Sequence, residues 1–251
     1  MINTSNEYKQ KVREERIFYA TSKIDLVDGA ILNLDNTQIR NIKIDDGTST
    51  SGSFQIGSAI INKLTLIIDN TNDEFSDYNF TDAIIRPSVG LQLSNTIETL
   101  NKGVFVVDDA KAVGSSIIIT ALDNMAKFDT PFSEVQIDFP CTQLQLLQAV
   151  SLYCQVPLAT VSFTNDDFIV TSRPLDEATT CREVVSWIAQ NSGNFARCNT
   201  DGALELKWYD FGVFENETNL DGGSFDGLSV DGQFGLPDGT FKNNGANLLN
   251  N

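Results

Sequence analysis

The chain has 251 residues, 41% of them apolar, and carries 34 acidic side chains against 17 basic ones, a net charge of −17. The apolar share is enough for two compact domains or one large β domain and excludes wholesale disorder. The acidity excludes tight general binding to nucleic acid or anionic membrane, where Lys and Arg must meet phosphate. The lack of any histidine removes the usual general base, the commonest zinc ligand and every Ser-His or Cys-His pair.

The opening is polar and charged, with no basic-then-apolar leader, and the longest apolar runs (Val104 to Val107, Ile117 to Ile119) are far too short to cross a bilayer. The expectation is a soluble chain with no membrane anchoring, assembled in a reducing cytoplasm. Residues 3–16 predict a short helix capped by Ser5, with Tyr8 and Val12 four apart on one thin stripe. Such a helix suits an edge element that packs on a neighbouring subunit or frays.

From residue 17 to about 128 the period changes to two. Ile42 and Ile44 alternate with Lys43 and Asp45; Leu64, Leu66 and Ile68 alternate with Thr65, Ile67 and Asp69; Ile117, Ile119 and Ala121 alternate with Ile118, Thr120 and Leu122. Turn formers stand between them at Asp28-Gly29, Asp46-Gly47, Lys102-Gly103 and Val113-Gly114. Strands at this spacing, without intervening helices, predict an antiparallel barrel or sandwich. Ile67 between Leu66 and Ile68 makes both faces of its strand apolar, which predicts a second partner surface.

After Pro131 two capping boxes, Thr142-x-x-Gln145 and Thr180-x-x-Glu183, predict helices over 142–153 and 180–190. Leu146, Leu147, Val150 and Cys154 share one face of the first; Cys181, Val184, Val185 and Ile188 share one face of the second, with Gly193 as its C-terminal glycine. Phe168 and Val170 predict a short strand ending before Pro174. Residues 195–198 and 204–208 predict a hairpin turning at Asp201-Gly202. From about residue 213 the chain is acidic and glycine-rich, with Asp-Gly pairs at 221, 226, 231 and 238. Gly222-Gly223-Ser224-Phe225-Asp226 lacks the third glycine of a calcium β-roll repeat, which favours a mobile tail or one ordered only in an assembly.

Candidate chemistry is thin. Cys141, Cys154, Cys181 and Cys198 form no C-x-x-C pair, and read as packed free thiols rather than zinc ligands. Asp108-Asp109, Asp166-Asp167 and Asp73-Glu74 are possible acid–base pairs, but neighbours on a strand face opposite ways and the other two pairs sit in turn-like sequence. Trp187 and Trp208 read as core residues in preference to sugar-stacking platforms. No phosphate loop, dinucleotide fingerprint or nucleophile elbow occurs. The expectation is therefore no enzyme, no catalytic residues, no metal, no cofactor and no small-molecule substrate.

The stretch GVFVVDDAKAVGSSIIITALDNMAKFDTPFSE, residues 103–134, resembles a strand–turn–strand passage of hub proteins from prophage tails of Gram-positive bacteria. PCTQLQLLQAVSLYC (140–154) and TCREVVSWIAQNSGNFARCNTDGALELKWY (180–209) look like the α+β module of those hubs, and FQIGSAIINKLTLII (54–68) is similar to their N-terminal barrel. The resemblance implies a β-rich, α+β chain: an N-terminal helix or arm (1–16), an antiparallel β-barrel domain (17–130), a small α+β domain (131–212) and an acidic Asp-Gly-rich tail (213–251). It implies a virion structural protein of the baseplate hub or tail tip, trimeric, joining the tail tube to distal tip or spike proteins while DNA passes without specific binding. Such hubs carry a second barrel after the α+β module, whereas this sequence continues only into its Asp-Gly tail, as a truncated or split hub would. A carbohydrate-binding or cell-wall-degrading tail protein is the alternative.

Overall fold

A computed structural model describes residues 4–14, 16–45, 47, 56–174 and 176–208. The acidic tail and its calcium reading, and Asp46 of one expected turn, lie outside the described residues.

Helix α1 (Asn6–Lys11) begins at Ser5, whose side chain accepts from the Tyr8 N–H, and buries none of its residues. It lies against its own chain: the Glu7 carboxylate accepts from the Ser94 N–H at 2.7 Å, and Glu98 accepts from the Ser5 N–H at 2.9 Å. These two polar tethers hold the helix to the β5–β6 region of its own chain.

Eight strands follow: β1 (Phe18–Asp25), β2 (Ile31–Leu34), β3 (Ile39–Asp45), β4 (Lys63–Asp69), β5 (Ile84–Gln92), β6 (Ile97–Asn101), β7 (Phe105–Val113) and β8 (Ser116–Asp123). All pairings among them are antiparallel, in the order β2-β1-β5-β7-β8-β4-β3 with β6 also on β5. The alternation dictates which side is buried. Leu64, Leu66 and Ile68 of β4 and Ile117, Ile119 and Ala121 of β8 enter one apolar cluster with Ile24, Leu32, Leu34, Ile85, Phe105 and Val107. Each large aliphatic side chain buried in this way contributes about 1.5–3 kcal/mol.

The expected closed barrel is not found. The sheet folds round one core, and β1 and β3, far apart in strand order, approach each other. Among the described residues, however, no ladder joins β2 to β3, so the sheet is open. Inside the sheet, β5 pairs with β7 only at Ile84 and Ile85 and with β6 from Ser88 to Gln92. Between them stands Pro87, which has no N–H to donate, so the strand changes partner where its ladder is weakest. On the second apolar face of β4, Ile67 lies beside Ile118 across the β4–β8 ladder, and both are half-buried.

Two 3₁₀ turns, Asn124–Phe128 and Phe132–Glu134, carry the chain out of β8. Then come β9 (Cys141–Thr142), α2 (Gln143–Tyr153), β10 (Ile169–Val170), α3 (Cys181–Asn191), β11 (Phe195–Cys198) and β12 (Leu204–Lys207). Both capping boxes are formed, with the Thr142 and Thr180 hydroxyls on the N–H groups of Gln145 and Glu183 and both return bonds present. At the end of α3, Gly193 takes φ 71°, its N–H bonds the Gln190 carbonyl and the Asn194 N–H bonds the Ala189 carbonyl, a Schellman closure. Strands β11 and β12 pair antiparallel around Gly202, at φ 78°.

The apolar faces of α2 and α3 meet β11, β12 and the first 3₁₀ turn in a second cluster, which includes Met125, Phe128 and Ala59. The segment entering β4 is clamped to α3: Ser186 donates to the Gly57 carbonyl, the Gly57 N–H bonds the Asn194 carbonyl at 2.7 Å, and Ala59 bridges Ala196. The chain up to Lys207 forms one compact unit holding both clusters.

Candidate functional site

The paired carboxylates are not brought into a site. Asp108 and Asp109 sit where the β7 register shifts, so the strand alternation that should separate them is broken and both side chains face solvent. Asp109 pairs instead with Lys111 at 2.9 Å. Asp166 closes a turn by accepting from the Phe163 N–H, and Asp73, at φ 56°, accepts from the Ser76 hydroxyl at 3.3 Å. These are roles in loop geometry. Among the described residues no group of three or more Cys, Asp or Glu side chains is gathered as a metal ion would require.

The cysteines are free thiols. Cys141, Cys154 and Cys181 are buried and Cys198 is half-buried. The neighbouring Cys181 thiol, together with burial, holds the Cys154 thiol well above its ordinary range. Burial pushes Cys198 and Cys141 up as well.

The concave feature of the α+β part is a cleft of about 490 Å³ between α2, α3 and the β10 segment. Its floor comes from residues that the two helices and the second 3₁₀ turn bury: Phe132, Leu146, Val184 and Ile188. Its mouth holds Phe168, 56% exposed, and Trp187, 48% exposed. This corrects the sequence reading of Trp187 as a core residue, since one helical step beyond the Val184–Ile188 face carries its indole to the rim. Trp208, 38% exposed, is no core residue either, because β12 ends at Lys207. Arg173 closes one end: its guanidinium donates to the carbonyls of Phe132 at 2.9 Å and Val135 at 2.7 Å and stacks on the Phe132 and Phe139 rings.

Gln143 is the polar residue that sequence reasoning missed. It opens α2, with its N–H bonded to the Phe168 carbonyl at 3.0 Å, and it lines the cleft at 2% exposure. Neither its amide oxygen nor its amide nitrogen has a hydrogen-bond partner among the described residues. An unmet buried polar group costs about 1–3 kcal/mol. The available signal was a glutamine in the first turn beside Leu146 and Leu147, too common a pattern to single out.

No family model and no curated protein matches the sequence. Among solved structures, the chain is similar to a chain of the Francisella PdpA–VgrG complex in its half-lidded form, at 11% identity and TM-score 0.50, over 83% of this chain and 34% of that one. It is also similar to the tail protein from Neisseria meningitidis MC58 (11% identity, TM-score 0.48, covering 77% and 52%) and to the 43 kDa tail protein of prophage MuSo2 from Shewanella oneidensis (14%, 0.44, covering 76% and 56%). The chain spans about half or less of the length of these structures, and at these identities what is shared is the fold.

Proposed function

We propose that the chain is a structural, non-catalytic subunit of a phage or phage-like tail, placed in the hub at the tip and joining the tail tube to distal tip or spike proteins. The observation that carries this reading is the fold shared with a chain of the PdpA–VgrG complex over 83% of the present residues. In this reading residues 17–130 act as the ring-forming half, closing into a barrel on assembly, and residues 131–212 as an attached module. Three copies surround the tail axis. The net charge of −17 suits a channel wall, because carboxylates repel the phosphates of passing DNA and prevent sticking. Oligomer contacts have material to use: Val27 and Ile31 at the β1–β2 turn and Ile17 and Phe18 at the start of β1 are exposed. The alternative, a carbohydrate-binding or cell-wall-degrading tail protein, is favoured by one observation, the exposed Trp187 at the cleft mouth.

The test is a reconstruction of the intact particle by electron cryomicroscopy. The expected result is density for this chain on the tail axis, in threefold symmetry, with acidic side chains toward the channel. Density off the axis, or acidic residues turned away from the lumen, overturns the hub reading.

A further inference from the structure

We propose that the cleft between α2 and α3 is a peptide-docking pocket, which seats one uncharged apolar side chain of a partner protein between Trp187 and Phe168 and pairs that partner's main-chain amide with Gln143. The proposal goes beyond the hub reading and does not depend on it.

The argument starts at Gln143. Its backbone is fixed three times over: it follows the capping Thr142, which pairs with Ile169 in the β9–β10 ladder, its own N–H is bonded to the Phe168 carbonyl, and the first turn of α2 begins with it. Its side chain lines the cleft, 2% exposed, and its amide oxygen and nitrogen have no partner among the described residues. A primary amide offers one acceptor and two donors side by side. The group that complements both at once is another amide, which the main chain of a peptide supplies.

The rest of the lining decides the class of occupant. Among the described residues, eight of the twelve that line the cleft are apolar or aromatic, and none is a carboxylate. Its one cation, Arg173, already donates to two carbonyls. On a chain of net charge −17, this is a surface without negative groups, suited to an uncharged side chain. A sugar would bring several hydroxyls and find few groups to satisfy them, whereas an aliphatic or aromatic side chain finds a buried floor at Leu146, Val184 and Ile188 and aromatic walls at the rim. A volume of about 490 Å³ falls within the usual range of binding cavities, about 300–1,000 Å³. Exposed aromatic side chains around a pocket with one buried polar group have the anatomy of an interface anchor site.

The test uses the full chain, labelled with ¹⁵N, and blocked tripeptides (acetyl-Gly-X-Gly-amide with X = Leu, Phe or Lys) as probes. The Leu and Phe peptides are expected to move the Trp187 indole N–H and the Gln143 side-chain NH₂ resonances saturably, and the Lys peptide to leave them in place. Gln143→Leu removes the amide while filling its volume with an apolar group, and should weaken peptide binding by about tenfold or more. Because that substitution lies in a buried turn, Trp187→Ala at the exposed rim serves as a second variant, with the same expected weakening and an unchanged spectrum elsewhere. Absence of a saturable shift with the Leu and Phe peptides overturns the proposal. Equal affinity of the Gln143→Leu protein also overturns it, as does selective movement of the same resonances by a chitin tetrasaccharide.

Discussion

Asp25 shows how a single side chain ties two strands of the acidic chain together. On β1 it forms an ion pair with Lys23 on its own strand, at 3.0 Å, and accepts from Arg86 on β5. The Lys23 ammonium above all, with smaller help from Arg86, holds its carboxyl below the ordinary value although burial, the second-largest influence, pushes it up. A carboxyl depressed in the folded state stabilises above its unfolded pKa, about 3.9, and that contribution disappears as pH falls through the folded value. Asp25→Asn should therefore lower stability at pH 7 by less than about 1 kcal/mol, a partly exposed pair being screened, with the deficit vanishing under strongly acid conditions. Urea melts of both proteins across pH check this; a deficit that persists unchanged in acid would refute it. The thiols make a second residue-scale prediction. Burial shields Cys141, Cys154 and Cys181 from reagent and pushes the Cys141 and Cys198 thiols up, so alkylation of the native protein should be slow, and denaturation without reductant should expose all four thiols to rapid modification. Recovery of only two or none by mass spectrometry would mean disulfides.

Secondary-structure elements were legible where the signal was local. Thr142, Gln145, Thr180 and Glu183 mark two helix starts without reference to anything distant, and Gly193 marks an end, so α2 and α3 lie within a residue of the sequence expectation. Alternation likewise fixes the inward residues of β4 and β8, since it needs only the strand period. What the sequence conceals is non-local. Nothing near Pro87 says that β5 trades β7 for β6 there, nothing near Asp108 announces the bulge, and nothing near Gln143 reveals that its amide ends in a cleft. Gly57 is a further case. It takes φ 83°, and a Cβ added there would stand 2.6 Å from the Cβ of Gln190, a residue more than half the chain away. Gly57→Ala combines left-handed strain with a clash against α3, so it should destabilise by more than about 1 kcal/mol. Gly29→Ala, equally left-handed but with open space around it, should cost less. Chemical denaturation of the two variants compares them, and equal losses would mean that backbone strain, not the contact with α3, dominates.

Over the whole molecule, strand order separates elements that are adjacent in sequence and joins others that are remote. The β7–β8 hairpin is local, closing through Gly114 and Ser115 between Val113 and Ser116. By contrast β1 pairs with β5, matching Phe18 with Leu91, and β4 reaches past three strands to β8, matching Lys63 with Leu122. Such topology shapes the order of events during folding. Loop closure between distant segments costs entropy before any contact compensates for it, which places sheets of this kind among the slow, millisecond-to-second folders. The hairpin has no such delay, and once formed it offers β4 a template on one side and the end of β5 on the other. A chain emerging from the ribosome therefore carries β4 paired on its β3 side alone until residue 123 has been made. Pulse-labelling hydrogen exchange during refolding should find the amides of β7 and β8 protected first, those of β4 next and those of β1 last. Protection of β1 before β8 would refute that order. In a cell, the same order would leave the apolar side of the early strands uncovered while the later ones are still being translated.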